Sequence, residues 1–124
     1  MIYRMAATKK KLPYGIANAN RLFMAYKRYA KKRKREFSLT KERFLQIVVD
    51  ACVYCARSLT QEYGQTTSNG LFKYTGIDRL DNACGYTETN SVPCCKDCNF
   101  MKRAMSREQF LEHIARIHKV SILK

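Results

Sequence analysis

Two cysteine pairs, Cys52-Val53-Tyr54-Cys55 and Cys95-Lys96-Asp97-Cys98, constrain the fold of this chain more than any other feature. A C-x2-C turn presents two thiolates on one side of a tight knuckle whose backbone amides can stabilise the sulfur charge. Two such knuckles complete the tetrahedral sulfur set that Zn2+ prefers, and four thiolates leave no position open for water, so the expected metal is structural. The 39 residues between the pairs must then fold back to bring them together. Cys94 could replace Cys95 at a poorer spacing to Cys98, and Cys84 reads as a free thiol in a turn. A disulfide framework is the rival reading, but Met1 to Lys11 offers no apolar leader that would send the chain to an oxidising compartment. A single thioredoxin-like pair accounts for only half of the pattern.

Charge is the second constraint. The 124 residues carry 24 Lys or Arg against 10 Asp or Glu, a formal net charge of +14. Residues 1–36 hold 12 of the basic groups and one acid, leaving +11 there and +3 in the remainder. A dense positive segment on a near-neutral body suits a polyanion bound through phosphate contacts. Lys27, Arg28, Lys31, Lys32, Arg33, Lys34 and Arg35 are the candidate contacts. The run from Lys31 to Arg35 also resembles a nuclear-localisation stretch or a merely solvated helix face. No stretch approaches the ~18 apolar residues of a membrane span.

Ile16, Ala19, Phe23, Tyr26 and Ala30 recur at helical spacing, which predicts a helix from Ile16 to about Arg35, with Phe23, Tyr26 and Tyr29 as packing contacts. Thr40 reads as the N-cap of a second helix through Asp50, with Phe44, Ile47, Val48 and Ala51 buried. Residues 58–76 read as a loop or hairpin turn. Extended pieces follow at Phe72–Leu80 and around Thr89–Cys94, then a helix from about Asn99 to Met105. Ser106 with Gln109 forms a capping-box pattern that opens the last helix. His113 and His118 lie on that helix and read as edges of its apolar stripe, Phe110, Ile114 and Ile117. This divides the chain into a basic helical arm, residues 1–37, and a body, residues 38–124.

Asp78, between the knuckles, sits on an extended piece, and Asn99, just after the second, at a helix start. A carboxylate and an amide oxygen are hard ligands that Mg2+ accepts while keeping waters for substrate phosphate oxygens. Lys102 lies one turn beyond Asn99, positioned to meet a phosphate. Asp81 and Asn82 read equally well as turn formers, and Glu88 and Asp97 as solvent-facing acids.

The run Asp78-Arg79-x-Asp81-Asn82-x-x-Gly85-Tyr86-x-x-x-Asn90-x-Val92-x-Cys94-Cys95-x-x-Cys98-Asn99-x-x-Lys102 resembles the HNH, or ββα-metal, endonuclease motif of a zinc-bearing branch carried by phages. With the lead-in from Tyr29 through Cys55, the resemblance covers about residues 25–117. It implies an α+β fold: a small zinc-stabilised ββα-metal domain with flanking helices and a basic N-terminal helix. It further implies a metal-dependent endonuclease hydrolysing phosphodiester bonds in DNA. Asp78 matches the metal-binding aspartate, Asn99 the last motif position and second ligand of a catalytic Mg2+ or Mn2+, and Asn90 the asparagine that ties the loop between strand and helix. Structural Zn2+ falls to Cys52, Cys55, Cys95 and Cys98.

Arg79 departs from the motif, standing where the family has the histidine that activates water. An arginine stays protonated and cannot be a general base at neutral pH. It could hold the scissile phosphate while another group, such as Asp81, Tyr86 or His118, or the metal itself activates water. It could equally mark a slower nuclease, or a site that has kept binding and lost cleavage. The alternative function is therefore a weak or inactive zinc-containing nucleic-acid-binding module. The expected partner is DNA, duplex before other forms, with monomer and homodimer both open. The expected setting is the cytoplasm of a phage-infected bacterium, or a nucleus for a eukaryotic or eukaryotic-viral source.

Overall fold

The computed structural model describes residues 11–124, so the leader expectation and the first ten residues of the arm lie outside it. The first helix, α1, forms over Ile16–Lys32 and ends before the predicted Arg35. Ala30 and Lys31 carbonyls accept from the N–H groups of Arg35 and Lys34, and Lys34 takes a left-handed φ of 55°. This is the bonding of a Schellman stop, with lysine where glycine is usual. The basic run is thus half helix and half turn.

Helix α2, Lys41–Val49, starts as predicted: the Thr40 hydroxyl accepts from the Arg43 N–H. Its Phe44, Ile47 and Val48 pack with Leu22 of α1, Leu39 and Ile77 into the main core. Phe23, Tyr26, Phe37 and Tyr86 edge this core, and the Phe23 and Tyr26 rings stand edge-on to Phe44 at 5.3 and 5.0 Å. Tyr29 does not join them; it is 59% exposed, against the packing role its spacing suggested.

The polar segment read as loop or turn contains the strand β1, Gln61–Tyr63, which pairs antiparallel with β2, Phe72–Tyr74. The extended piece expected over residues 72–80 is two strands in two sheets. Gly76, at φ 133°, separates β2 from β3, Ile77–Arg79, and a side chain there would strike the Cys94 carbonyl. β3 pairs antiparallel with β4, Ser91–Pro93, placing Asp78 opposite Val92. Helix α3 covers Lys96–Lys102, three residues earlier than predicted, because the Cys95 sulfur accepts from the Cys98 N–H and acts as its N-cap. Helix α4, Arg107–Ile122, opens on the full Ser106–Gln109 capping box. Only Phe110 of α4 is buried, against Tyr54 at 5.2 Å between ring centres. Among the described residues no helix is long and apolar enough to cross a membrane.

Candidate active site

β3, β4 and α3 form a ββα unit, and the cysteines pin its rear. The sulfur atoms of Cys52, Cys55, Cys95 and Cys98 all lie within 4.8 Å of one another. Cys94 and Cys84 stay outside this cluster, Cys94 buried and Cys84 exposed in the turn. Burial pushes the Cys52 thiol up, but the backbone N–H groups of Cys95, Cys55 and Tyr54 outweigh it and hold the group down at about 6. The Arg57 N–H lowers Cys55, whereas burial and the neighbouring sulfurs push Cys98 up. Four thiolates this close cannot share their charge without a cation, and an all-sulfur set of this kind suits zinc.

Asp78 projects from the middle of β3 and is 3% exposed. Its Oδ2 accepts from the Tyr54 hydroxyl at 2.9 Å, a bond whose donor is kept protonated because burial and the Asp78 carboxylate both push the phenol up. Lys102 Nζ lies 3.3 Å from Oδ2 and 3.4 Å from Oδ1. Here the structure corrects the sequence reading: Lys102 is 0% exposed and faces Asp78 and the Arg79 carbonyl, so it does not present its charge to a phosphate. Its one-turn spacing from Asn99 holds, but its Nζ turns to the buried Asp78 carboxylate instead of the cleft.

Asn99 stands on the exposed side of α3. Its Nδ2 donates to the Ile77 carbonyl at 3.1 Å, which ties α3 to β3 and leaves Oδ1 without a donor among the described residues. Asp78 and Asn99 line the same open cleft, about 500 Å3 in volume, together with Arg33, Arg35, Arg79 and Arg103. One carboxylate and one carboxamide oxygen fit a hard divalent cation that keeps most of its water. Lys102 is the competing positive charge that such an ion would meet.

Arg79 Nη1 donates to the carbonyls of Asn82 and Cys84 at 2.9 and 2.8 Å, and the guanidinium lies 5.8 Å over the Tyr86 ring. The remaining guanidinium donors have no protein acceptor among the described residues and are available to the cleft. Asn90 closes the loop below: its Oδ1 accepts from the Asp81 N–H, and its Nδ2 donates to the carbonyls of Asp81 and Gly85. Asn90 is buried and does not line the cleft.

Of the groups considered for activating water, Tyr86 lines the cleft. The Asp81 carboxylate is occupied by the Ala83 N–H and the Cys84 thiol, as a turn former would be. His118 is exposed on α4, and His113 contacts Arg116 there. Glu88 and Asp97 make surface pairs with Arg43 and Arg57. Of the seven cations proposed along α1, Arg33 and Arg35 reach the cleft, while Lys27, Arg28, Lys31, Lys32 and Lys34 stand exposed elsewhere.

Three site residues escaped the sequence reading. Tyr54 lies inside a knuckle whose spacing signals only its cysteines, and its contact with Asp78 spans 24 residues. Phe100 follows Asn99 at an unremarked motif position. Arg103 reaches the cleft from a strained backbone, φ 51° and ψ −125°, which no spacing rule foretells. Such outliers cost of order 1–3 kcal/mol and cluster at functional sites.

No family model matches the chain. Protein R423 of Acanthamoeba polyphaga mimivirus, which is uncharacterised, is 36% identical over 89 residues, 72% of this chain. The chain spans only 15% of that protein's length. Among solved structures, the rare-cutting HNH restriction endonuclease PacI superposes with a TM-score of 0.59, at 22% identity, over 82% of this chain and 78% of that one. The chain thus has an HNH-type fold, and its described residues form a small α+β unit of four helices and two short sheets with a four-cysteine cluster consistent with zinc.

Proposed function

We propose that this protein is a metal-dependent HNH endonuclease that hydrolyses phosphodiester bonds in DNA. The observation that carries the reading is the cleft itself: Asp78 and Asn99 line one hollow with four arginines. Asp78 and the free carbonyl oxygen of Asn99 would hold Mg2+ or Mn2+. Such an ion polarises the phosphate and stabilises developing charge on oxygen. Arg33, Arg35 and Arg103 bind and orient the phosphate backbone, and the open donors of Arg79 hold the oxygens of the scissile group. Tyr54 and Lys102 fix the Asp78 carboxylate, and Asn90 keeps the loop beneath Arg79 in shape. The rest of the basic run adds affinity through phosphates. That PacI is a restriction endonuclease of the same fold supports the choice of DNA.

A second reading, a nucleic-acid-binding module with weak or no cleavage, is favoured by one observation. Arg79 spends Nη1 on two loop carbonyls and occupies the place of a base without being one. Supercoiled plasmid incubated with the zinc-loaded protein and Mg2+ or Mn2+ decides between them. Nicking that disappears in Asp78→Ala and Asn99→Ala supports the enzyme. Absence of nicking across metals and pH, with DNA binding intact, selects the binding module.

A further inference from the structure

Phe100 is 74% exposed, although it adjoins Asn99 at the centre of the candidate site. Its ring makes no aromatic contact among the described residues and belongs to neither hydrophobic cluster. Core packing therefore does not explain it. Together with Asn99 and Ile77 it lines two hollows at once, and of the three it carries the exposed aromatic ring. On one side lies the cationic cleft with Asp78, Asn99 and the arginines. On the other lies a smaller hollow of about 320 Å3, walled by Tyr26 and Tyr74, with the Gln61 amide and Lys96 also on its lining. Gly76 lines this hollow, at a φ that excludes a side chain.

A nucleotide has a matching division: an anionic phosphate at one end and a flat, polar-edged ring at the other. A phosphate in the cationic cleft leaves its own or the adjacent base within reach of Phe100 and the tyrosine-walled hollow. Bases in intact duplex are stacked and paired, so their faces cannot meet a side chain unless the helix is opened. An apolar protein partner fits the ridge less well, since Arg33, Arg35 and Arg103 crowd the same cleft and call for a polyanion.

We propose that Phe100 stacks on an unpaired nucleobase beside the phosphate held in the cleft, so that the preferred substrate is DNA with a locally opened or single-stranded step. The inference rests on the endonuclease reading for the placement of the phosphate, and the experiment separates failure of the one from failure of the other. The test uses the zinc-loaded full chain without added Mg2+ or Mn2+. Fluorescence anisotropy measures binding to two labelled duplexes of equal length and sequence context, one fully paired and one with a central unpaired bubble. The wild type should favour the bubble by about 5- to 150-fold, the range of one aromatic–base stack. Phe100→Ala should bring the ratio close to one, and Phe100→Trp should restore it. Because the side chain is exposed, neither change threatens the fold, and circular dichroism checks this.

Equal wild-type affinity for the two duplexes overturns the proposal, as does a bubble preference that survives Phe100→Ala. A shift in oligomeric state with Phe100→Ala, at an unchanged ratio, would instead make the ring a contact between copies. Bubble preference without nicking under any divalent ion would retain the stacking site and sink the endonuclease reading. Nicking by a protein blind to the bubble would do the reverse.

Discussion

Lys102→Met is the sharpest perturbation of the site. The lysine is fully buried and its Nζ lies 3.3 Å from an Asp78 oxygen, itself 3% exposed. At that separation an effective dielectric of about 20 gives about 5 kcal/mol of attraction, part of which the desolvation of both groups cancels. Removing the lysine leaves a buried carboxylate with Tyr54 as its remaining donor, and breaking a buried pair in this way typically costs 3–5 kcal/mol. That is a large share of the roughly 5–15 kcal/mol that a domain possesses. The assay is urea denaturation of the zinc-loaded protein, with Asp78→Asn and the double variant completing a cycle. The double variant should regain most of the loss, because no unpaired charge is left. If Asp78 also holds a divalent ion, Mg2+ should stabilise Lys102→Met more than wild type by replacing the missing charge. A loss below about 1 kcal/mol, or a Mg2+ response no greater than that of wild type, would refute this account of the pair.

Other outcomes follow from the same geometry. Arg103→Gly should raise stability by about 1 kcal/mol by relieving the strained φ, and should weaken DNA binding because a cleft cation is lost; denaturation and anisotropy read the two effects. Arg33→Ala with Arg35→Ala should lower the slope of log affinity against log salt by about 0.9 per lost phosphate contact on duplex DNA. Asn90→Ala removes three hydrogen bonds and leaves buried backbone groups unpaired, so a loss of about 2–4 kcal/mol is expected by urea titration. Stripping the metal with a chelator should loosen the region from Cys52 to Cys98, seen as four newly reactive thiols and a lower Tm.

Much of this architecture was legible because it is carried by local chemistry. Thr40 and Ser106 announce helix starts through bonds to residues three positions on, and the C-x2-C pairs announce the sulfur cluster. What escaped depends on contacts distant in sequence or on conformations against residue preference. The helical spacing predicts a first helix three residues longer than the observed one because Lys34 adopts a left-handed conformation that usually calls for glycine. The single strand expected over 72–80 split because Gly76 turns the chain from one sheet to the other. Lys102 faces inward because it pairs with Asp78 and the Arg79 carbonyl, contacts distant in sequence that no local pattern shows. These differences move a charge or an edge by only a few residues, yet at Lys102 the consequence is that a lysine expected to meet a phosphate is the partner of a candidate metal ligand.

The same contacts explain why the four-cysteine cluster sits so near the candidate site. The first knuckle does more than hold sulfur: the Val53 N–H bonds the Pro93 carbonyl of β4, and the Tyr54 hydroxyl bonds Asp78 on β3. The second knuckle caps α3 through Cys95 and thereby sets the rotation of Asn99 and Lys102. Both candidate ligands of a catalytic ion, and the lysine paired with Asp78, thus take their positions from residues inside or next to a C-x2-C turn. A β-hairpin of three-residue strands and a seven-residue helix are too short to hold such geometry alone. Loss of the knuckles should therefore disorder Asp78 and Asn99 before it unfolds the main core around Phe44, whose packing runs through α1 and α2 and includes no cysteine.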